Sequence, residues 1–199
     1  MAMMALLLPV LALLAAFCIN AAQMQLNRTE LIVATDAAAR AGGRAFSEDQ
    51  TVAAAKTAAF VTAALNTVDG EPLRLRTNDS ANEIEFGATT QPDGVDGRYH
   101  FQKIPTSVVE TGEEIASAVR VNGRRDDGSL SGRVPLIIPG LLDASDFETT
   151  QLSVAMQVDR DISLILDRSG SMDDVEWNWP DGTSPYATST MNAGVNAGM

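Results

Sequence analysis

The pattern of apolar and polar positions divides the chain into four stretches. From Ala2 to Ile19 the residues are apolar and uncharged, and Asn20 is the first clearly polar one. About 20 helical residues at 1.5 Å each span roughly 30 Å, the thickness of a bilayer's hydrocarbon core. This predicts an uncleaved transmembrane anchor over residues 1–22, with Pro9 tolerated inside it. A secretory signal peptide is the rival reading. Against it, no Lys or Arg precedes the run, and the small residues near its end make a poor cleavage site. Cys18 then reads as a small apolar membrane residue.

Residues 23–66 predict an extracytoplasmic helical pair. Gln23 to Ala41 contains no Gly or Pro. Met24, Leu31, Ala34 and Ala38 fall near one face, and Asn27, Arg28, Glu30 and Asp36 supply a polar side. Gly42-Gly43 predicts the end of this helix, with Arg40 and Arg44 near its negative pole. Ser47 and Gln50 have the spacing of a capping box for a second helix. An apolar stripe of Val52, Ala55, Ala59, Phe60 and Ala63 then continues to about Leu65.

Residues 67–158 change to period two, which predicts a small antiparallel β module. Leu73 and Leu75, Ile84 and Phe86, Tyr99 and Phe101, Val119 and Val121, and Leu152 through Val158 all alternate with other residues. Asp69-Gly70, Pro92-Asp93-Gly94, Asp96-Gly97, Asn122-Gly123 and Asp127-Gly128 read as turns. Val134–Ile138 is a further apolar strand that Pro135 and Pro139 confine to an edge. Residues 159–199 begin with a short apolar run, Ile162 to Leu166, that suits a strand buried on both faces.

Composition narrows the function. The chain has 14 basic and 26 acidic residues, a formal charge of -12 and a pI near 4.4. No basic patch is available to neutralise phosphates, so nucleic acid is excluded as a partner. One cysteine rules out an internal disulfide or a cysteine zinc site. The single histidine, His100, reads as an exposed strand residue. Glu83 and Glu85 could be taken as a carboxylate pair, but they read better as the solvent side of a strand. No nucleophile–base pair, phosphate loop or histidine cluster is present, so neither enzymatic turnover nor a small-molecule substrate is expected.

The run ending at Leu166 meets a cluster of oxygen ligands: Asp167, Ser169 and Ser171, with Gly170 allowing a tight turn. Hard divalent cations take such ligands and keep several waters. The D-x-S-G-S-M stretch from Asp167 to Met172 resembles the metal-ion-dependent adhesion site of von Willebrand factor type A domains. The resemblance implies that Asp167, Ser169 and Ser171 hold or orient Mg²⁺ or Mn²⁺, whose open position takes a partner's carboxylate. In that family a Thr and an Asp from later loops complete the shell. The short remainder of this chain offers no strand–loop pair to supply them. The expectation is an incomplete α/β type A domain over 159–199, with metal bound only in a full-length domain. Trp177 and Trp179 lie in an irregular acidic stretch beyond it, either as a partner contact or packed on the β module.

A second resemblance lies at the other end. Leu6-Leu7-Leu8-Pro9-Val10 leads into Arg28-Thr29-Glu30-Leu31 and then Ala34-Thr35-Asp36-Ala37-Ala38-Ala39-Arg40-Ala41-Gly42. This resembles the N-terminal region of TadG-like proteins of the tight-adherence (Flp) pilus system. Ile32-Val33 stands where Gln is usual, and basic residues before the apolar run are missing. Glu85-Phe86-Gly87 and Ala118–Val121 also resemble the β region of those proteins. The pairing of this region with a type A signature implies a membrane-anchored pilus-assembly or surface-adhesion component that binds proteins. It also implies a single pass through the bacterial inner membrane, with the bulk of the chain outside. A type A scaffold or chaperone unrelated to pili is the alternative. The expected fold class is α+β: anchor, helical pair, antiparallel β module and the start of an α/β domain.

Overall fold

A computed structural model describes residues 2–78, 82–90, 99–141 and 143–157. The chain divides into a compact unit, Met1–Val158, and a second unit, Asp159–Met199. The second unit lies outside the described residues, as do the turns expected at 92–97. The strand and metal loop expected at 162–172, including Asp167, Ser169 and Ser171, therefore lie outside them as well.

One helix, α1 (Ala2–Asp49), runs through the expected anchor and the expected first helix without a break. At 1.5 Å per residue it is roughly 70 Å long. Gly42-Gly43 does not stop it. Both glycines lie inside the helix, where their missing side chains let neighbours approach. A Cβ at Gly42 would lie 3.1 Å from Ala59 Cβ, and one at Gly43 would lie 2.7 Å from Ala155 Cβ. Contact rather than termination is what these glycines supply.

The break comes about two turns later. Gln50 takes a left-handed φ of 53°. Its N–H donates to Phe46 O at 3.0 Å and its side-chain amide to Ser47 O at 3.1 Å. Thr51, not Ser47, caps α2 (Val52–Leu65), with its hydroxyl accepting from Ala54 N at 3.4 Å. The two-residue connection makes α1 and α2 an antiparallel pair. Val52, Ala55, Ala59 and Ala63 face inward at helical spacing, while Phe60, expected on that stripe, is exposed.

The remaining strands are all antiparallel. β1 (Thr67–Val68) and β2 (Glu71–Pro72) form a short ribbon around the Asp69-Gly70 turn. β3 (Ile84–Thr90), β4 (His100–Ile104), β5 (Ala118–Arg125) and β8 (Thr149–Met156) form a sheet in the order β4-β3-β5-β8. A short helix, α3 (Thr106–Thr111), follows β4. β6 (Val134–Pro135) pairs with β7 (Asp146–Phe147), so the apolar run at 134–138 contributes only a two-residue strand. Asn122-Gly123, expected as a turn, sits within β5 opposite Leu152 and Gln151.

The core lies between the helix pair and one face of the sheet. Leu31, Ala34, Ala38, Ala55, Ala59, Leu73, Ile84, Phe86, Val119 and Val121 are buried in one cluster. Phe46 and Phe86 touch with ring centroids 5.3 Å apart. Each large side chain so buried contributes about 1.5–3 kcal/mol of transfer free energy. Alanine in the seam sets how closely the backbones approach. A Cβ at Gly123 would lie 2.0 Å from Thr35 Oγ1, so α1 rests directly on β5 there. β8 turns Gln151, Ser153 and Ala155 inward and leaves Leu152, Val154 and Met156 exposed.

Candidate functional site

Along α1 three zones follow one another. In the first, Leu7, Leu8, Val10, Leu11, Leu13, Leu14, Phe17 and Ile19 are all exposed, around the whole circumference. Nothing among the described residues covers this zone except beside Ala16, which is half-buried. Cys18 is exposed within it.

The second zone is polar and buried. Asn20, Gln23, Asn27 and Glu30 recur at steps of three and four residues, so they share one face. Asn20 Nδ2 donates to Ile138 O at 2.8 Å, and its Oδ1 accepts from Ile138 N at 3.0 Å. Gln23 Nε2 donates to Pro135 O at 2.8 Å, and its Oε1 accepts from Ile137 N at 2.8 Å. Each amide thus satisfies one backbone donor and one backbone acceptor, as a neighbouring strand would. Asn27 Nδ2 donates to Asp69 Oδ1 at 3.2 Å, and Glu30 Oε2 accepts from Asp69 N at 2.8 Å. Asp69 has a φ of 58°, so these contacts hold the β1–β2 turn against the helix.

The sequence pattern predicts Asn27 and Glu30 on a polar side of the helix, apart from the Leu31–Ala38 face. The structure puts both against the head, Asn27 fully buried and Glu30 half-buried. The signal that could have found them is the spacing of Asn20, Gln23 and Asn27, an amide stripe in register with Leu31, Ala34 and Ala38.

Beside this zone Arg125 is 2% exposed and carries no carboxylate partner within hydrogen-bond reach among the described residues. Its guanidinium donates to the carbonyls of Val68, Gly132 and Arg133. Burial lowers its pKa, against the attraction of Asp69 and Glu71. It ties the β1–β2 ribbon to the loop before β6.

The third zone is the small-residue seam from Leu31 to Phe46 that meets α2, β5 and β8. On the opposite face of the sheet, Glu85 binds Lys103 Nζ at 2.7 Å and Arg120 Nε at 2.6 Å. Arg120 stacks 4.4 Å above the Phe101 ring. Burial disfavours the charge on Glu85, but the bonds from Lys103 and Arg120 outweigh it and hold the carboxyl below the usual glutamate range.

Glu83, two residues earlier, is only 3% exposed and not solvent-facing as its position suggested. Its Oε2 accepts from Arg76 N at 2.8 Å. Its Oε1 is buried with no hydrogen bond, 3.8 Å from Arg124. Burial pushes its pKa up, despite the Arg76 hydrogen bond and the nearby Arg124 charge.

Among the described residues no group of three or more His, Cys, Asp or Glu gathers as a metal site. His100 lies exposed on edge strand β4. An open groove between α1 and the start of β8 is lined by Arg28, Ile32, Asp126, Glu148, Thr149 and Gln151. Its mixed charges and wide mouth bring no nucleophile together with a base. β8 forms one edge of the sheet. Its outer side is unpaired among the described residues, and it presents the apolar ladder Leu152, Val154 and Met156.

α1 is long and apolar enough to cross a membrane. No curated protein and no solved structure matches the chain. The Tad family model, "Putative Flp pilus-assembly TadE/G-like", matches residues 1–45, which cover the apolar zone, the amide stripe and most of the small-residue seam of α1.

Proposed function

We propose that this chain is a membrane-anchored, extracytoplasmic component of a tight-adherence (Flp) pilus assembly or surface-adhesion system, acting by protein–protein contact. The observation that carries this reading is the continuity of α1. One unbroken helix joins an apolar zone exposed on all sides to the core of the head, and the TadE/G-like match spans that junction. Such a helix is an anchor and a stalk at once. The anchor, residues 1–22, crosses the bacterial inner membrane in a single pass with its apolar run 2–19 in the hydrocarbon core, and the head stands on the extracytoplasmic side. The β8 edge, unpaired among the described residues, supports partner binding, since such a strand with apolar side chains can accept another strand.

The motif at Asp167, Ser169 and Ser171 supports an added adhesive role within the same assignment. In a full-length type A domain these three oxygens would hold Mg²⁺ or Mn²⁺ and present it to a partner carboxylate. The same motif is what favours the second reading, a membrane-anchored type A scaffold or chaperone unrelated to pili.

Affinity capture of the tagged chain from detergent-solubilised membranes separates the two. Flp pilus-assembly proteins among the specific partners are expected. Specific partners without any pilus protein would sink the first reading in favour of the second. Recovery of the chain in the soluble fraction after a carbonate wash would remove the anchor itself. Topology is checked by labelling His100→Cys in a Cys18→Ser background, where an impermeant thiol reagent should react from the extracytoplasmic side.

A further inference from the structure

Resting on the reading of the apolar run 2–19 as a membrane span, we propose that the loop Pro135–Leu141 is a second membrane contact. It would be an uncharged wedge that enters the headgroup region of the same leaflet beside α1. Its occupant is the lipid surface, without preference for lipid charge.

The loop reads Pro-Leu-Ile-Ile-Pro-Gly-Leu, with charges only at its flanks, Arg133 and Asp143. Ile137 is 63% exposed. An exposed isoleucine alone means little. Position and hydrogen bonding are what single this loop out.

The amide contacts set its position. Pro135 and Ile137 are held by Gln23, and Ile138 is held by Asn20, one turn after Ala16 in the apolar zone. Moving from Pro135 to Ile138, the loop therefore runs down α1 toward the span. Pro139, Gly140 and Leu141 follow in the chain before it turns back at Ala144, and Ala16, one turn further down α1, is half-buried. Ile138 lies level with the first residue past Ile19, where a bilayer's interfacial zone begins if the apolar run 2–19 crosses its core. Peripheral apolar faces bury about 5–10 Å into that zone.

Hydrogen bonding makes the entry affordable in free-energy terms. A backbone N–H that loses water without a partner costs several kcal/mol, which keeps ordinary loops out of lipid. From 135 to 140 every backbone N–H is either absent or paired. Pro135 and Pro139 have none. Leu136 N donates to Ser145 O at 3.0 Å, and Gly140 N to Ala144 O at 2.8 Å. Ile137 N and Ile138 N donate to the Gln23 and Asn20 side chains. A loop facing only water has no such need, because water satisfies its donors. Full pairing, an apolar surface and placement at the end of the span are the three properties a lipid wedge requires together. The absence of Lys and Arg from 134–141 is the basis for predicting indifference to anionic lipid.

The test uses the full chain reconstituted in phosphatidylcholine vesicles. An environment-sensitive fluorophore is attached at Ile137→Cys in a Cys18→Ser background, at native Cys18, or at His100→Cys in the same background. Expected is a blue-shifted emission at 137, quenching by a nitroxide placed near the lipid headgroup, and reduced attack by aqueous dithionite. The same readings are expected when phosphatidylglycerol is added. Cys18, near the outer end of the span, should be quenched by a nitroxide on the upper acyl chain, and position 100 by neither. Position 137 reading like position 100 while Cys18 is quenched overturns the wedge and leaves the anchor standing. An unquenched Cys18 overturns the anchor and the wedge with it. Adding Asn20→Ala and Gln23→Ala should lower quenching at 137. No change would show that the amides do not place the loop, and would overturn the argument from position.

Discussion

The lower and upper halves of α1 differ in side-chain size, in charge and in surroundings. Between Leu7 and Ile19 large side chains point in every direction and stay uncovered. Between Leu31 and Phe46 the inward positions are Leu31, Ala34, Thr35, Ala38, Ala39, Gly42 and Phe46, mostly small, and all are buried. The difference lies in size and arrangement as well as in hydrophobicity, since Asp36, Arg40 and Arg44 occur only in the upper stretch. Bulk around the whole circumference suits a fluid apolar solvent, whereas a stripe of alanine and glycine suits fixed contact with another backbone. The amides of the middle zone separate the two, and they bind backbone groups where a helix face leaves the membrane reading and enters the protein reading.

The sharpest way to break this contrast is to put bulk in the seam. Gly123→Val should destabilise the head by about 3 kcal/mol, because the new side chain enters the space of Thr35. Thermal unfolding in detergent, followed by the β signal in circular dichroism, measures it. Adding Thr35→Ala should recover part of the loss, and a strictly additive double variant would show that the two residues are not in contact. The matching change in the lower half is Leu11→Asp. It should cost about 3 kcal/mol of membrane insertion, measured by partition into vesicles, while leaving the head's melting temperature unchanged.

A smaller effect is expected at the boundary. Gln23→Leu removes the partners of Pro135 O and Ile137 N, at about 1 kcal/mol. Hydrogen exchange should show faster opening confined to the loop around Ile137 and not in β5. Global loss of protection would mean that the amide zone, not the seam, holds the head together.

The smallest effect concerns two carboxylates on the far side of the seam, and its sign differs between them. Glu85 is held below the ordinary glutamate range, so its contribution is present above that range. It is lost as pH falls through the depressed value. Glu83 is pushed up, so stability declines as pH rises from the ordinary glutamate range through its raised value. Melting temperature against pH should lose acid sensitivity in Glu85→Gln. In Glu83→Gln it should lose the opposite slope. Identical profiles in the two variants would contradict the opposed environments.

Much of this architecture was legible from the chain. Period two at Ile84–Phe86 and Val119–Val121 marked strands that the structure contains, and the uncharged stretch to Ile19 marked a helix long enough to span a bilayer. Strand edges were also foreseeable, since Pro135 cannot donate within a ladder. What sequence could not decide was which property of a residue would be used. Gly42 and Gly43 carry both helix-ending and close-packing potential, and only the arrival of Ala59 and Ala155 selected the second. Asn122-Gly123 has turn chemistry, yet Gly123 serves inside a strand because α1 presses on it there. Glu83 differs from Glu85 by two positions, and what separates them is the burial beside Arg76 and Arg124. Local chemistry fixes what a residue is able to do. Which option is realised depends on neighbours distant in sequence, whose contact energies exceed the fraction of a kcal/mol to about 1 kcal/mol that local propensity supplies.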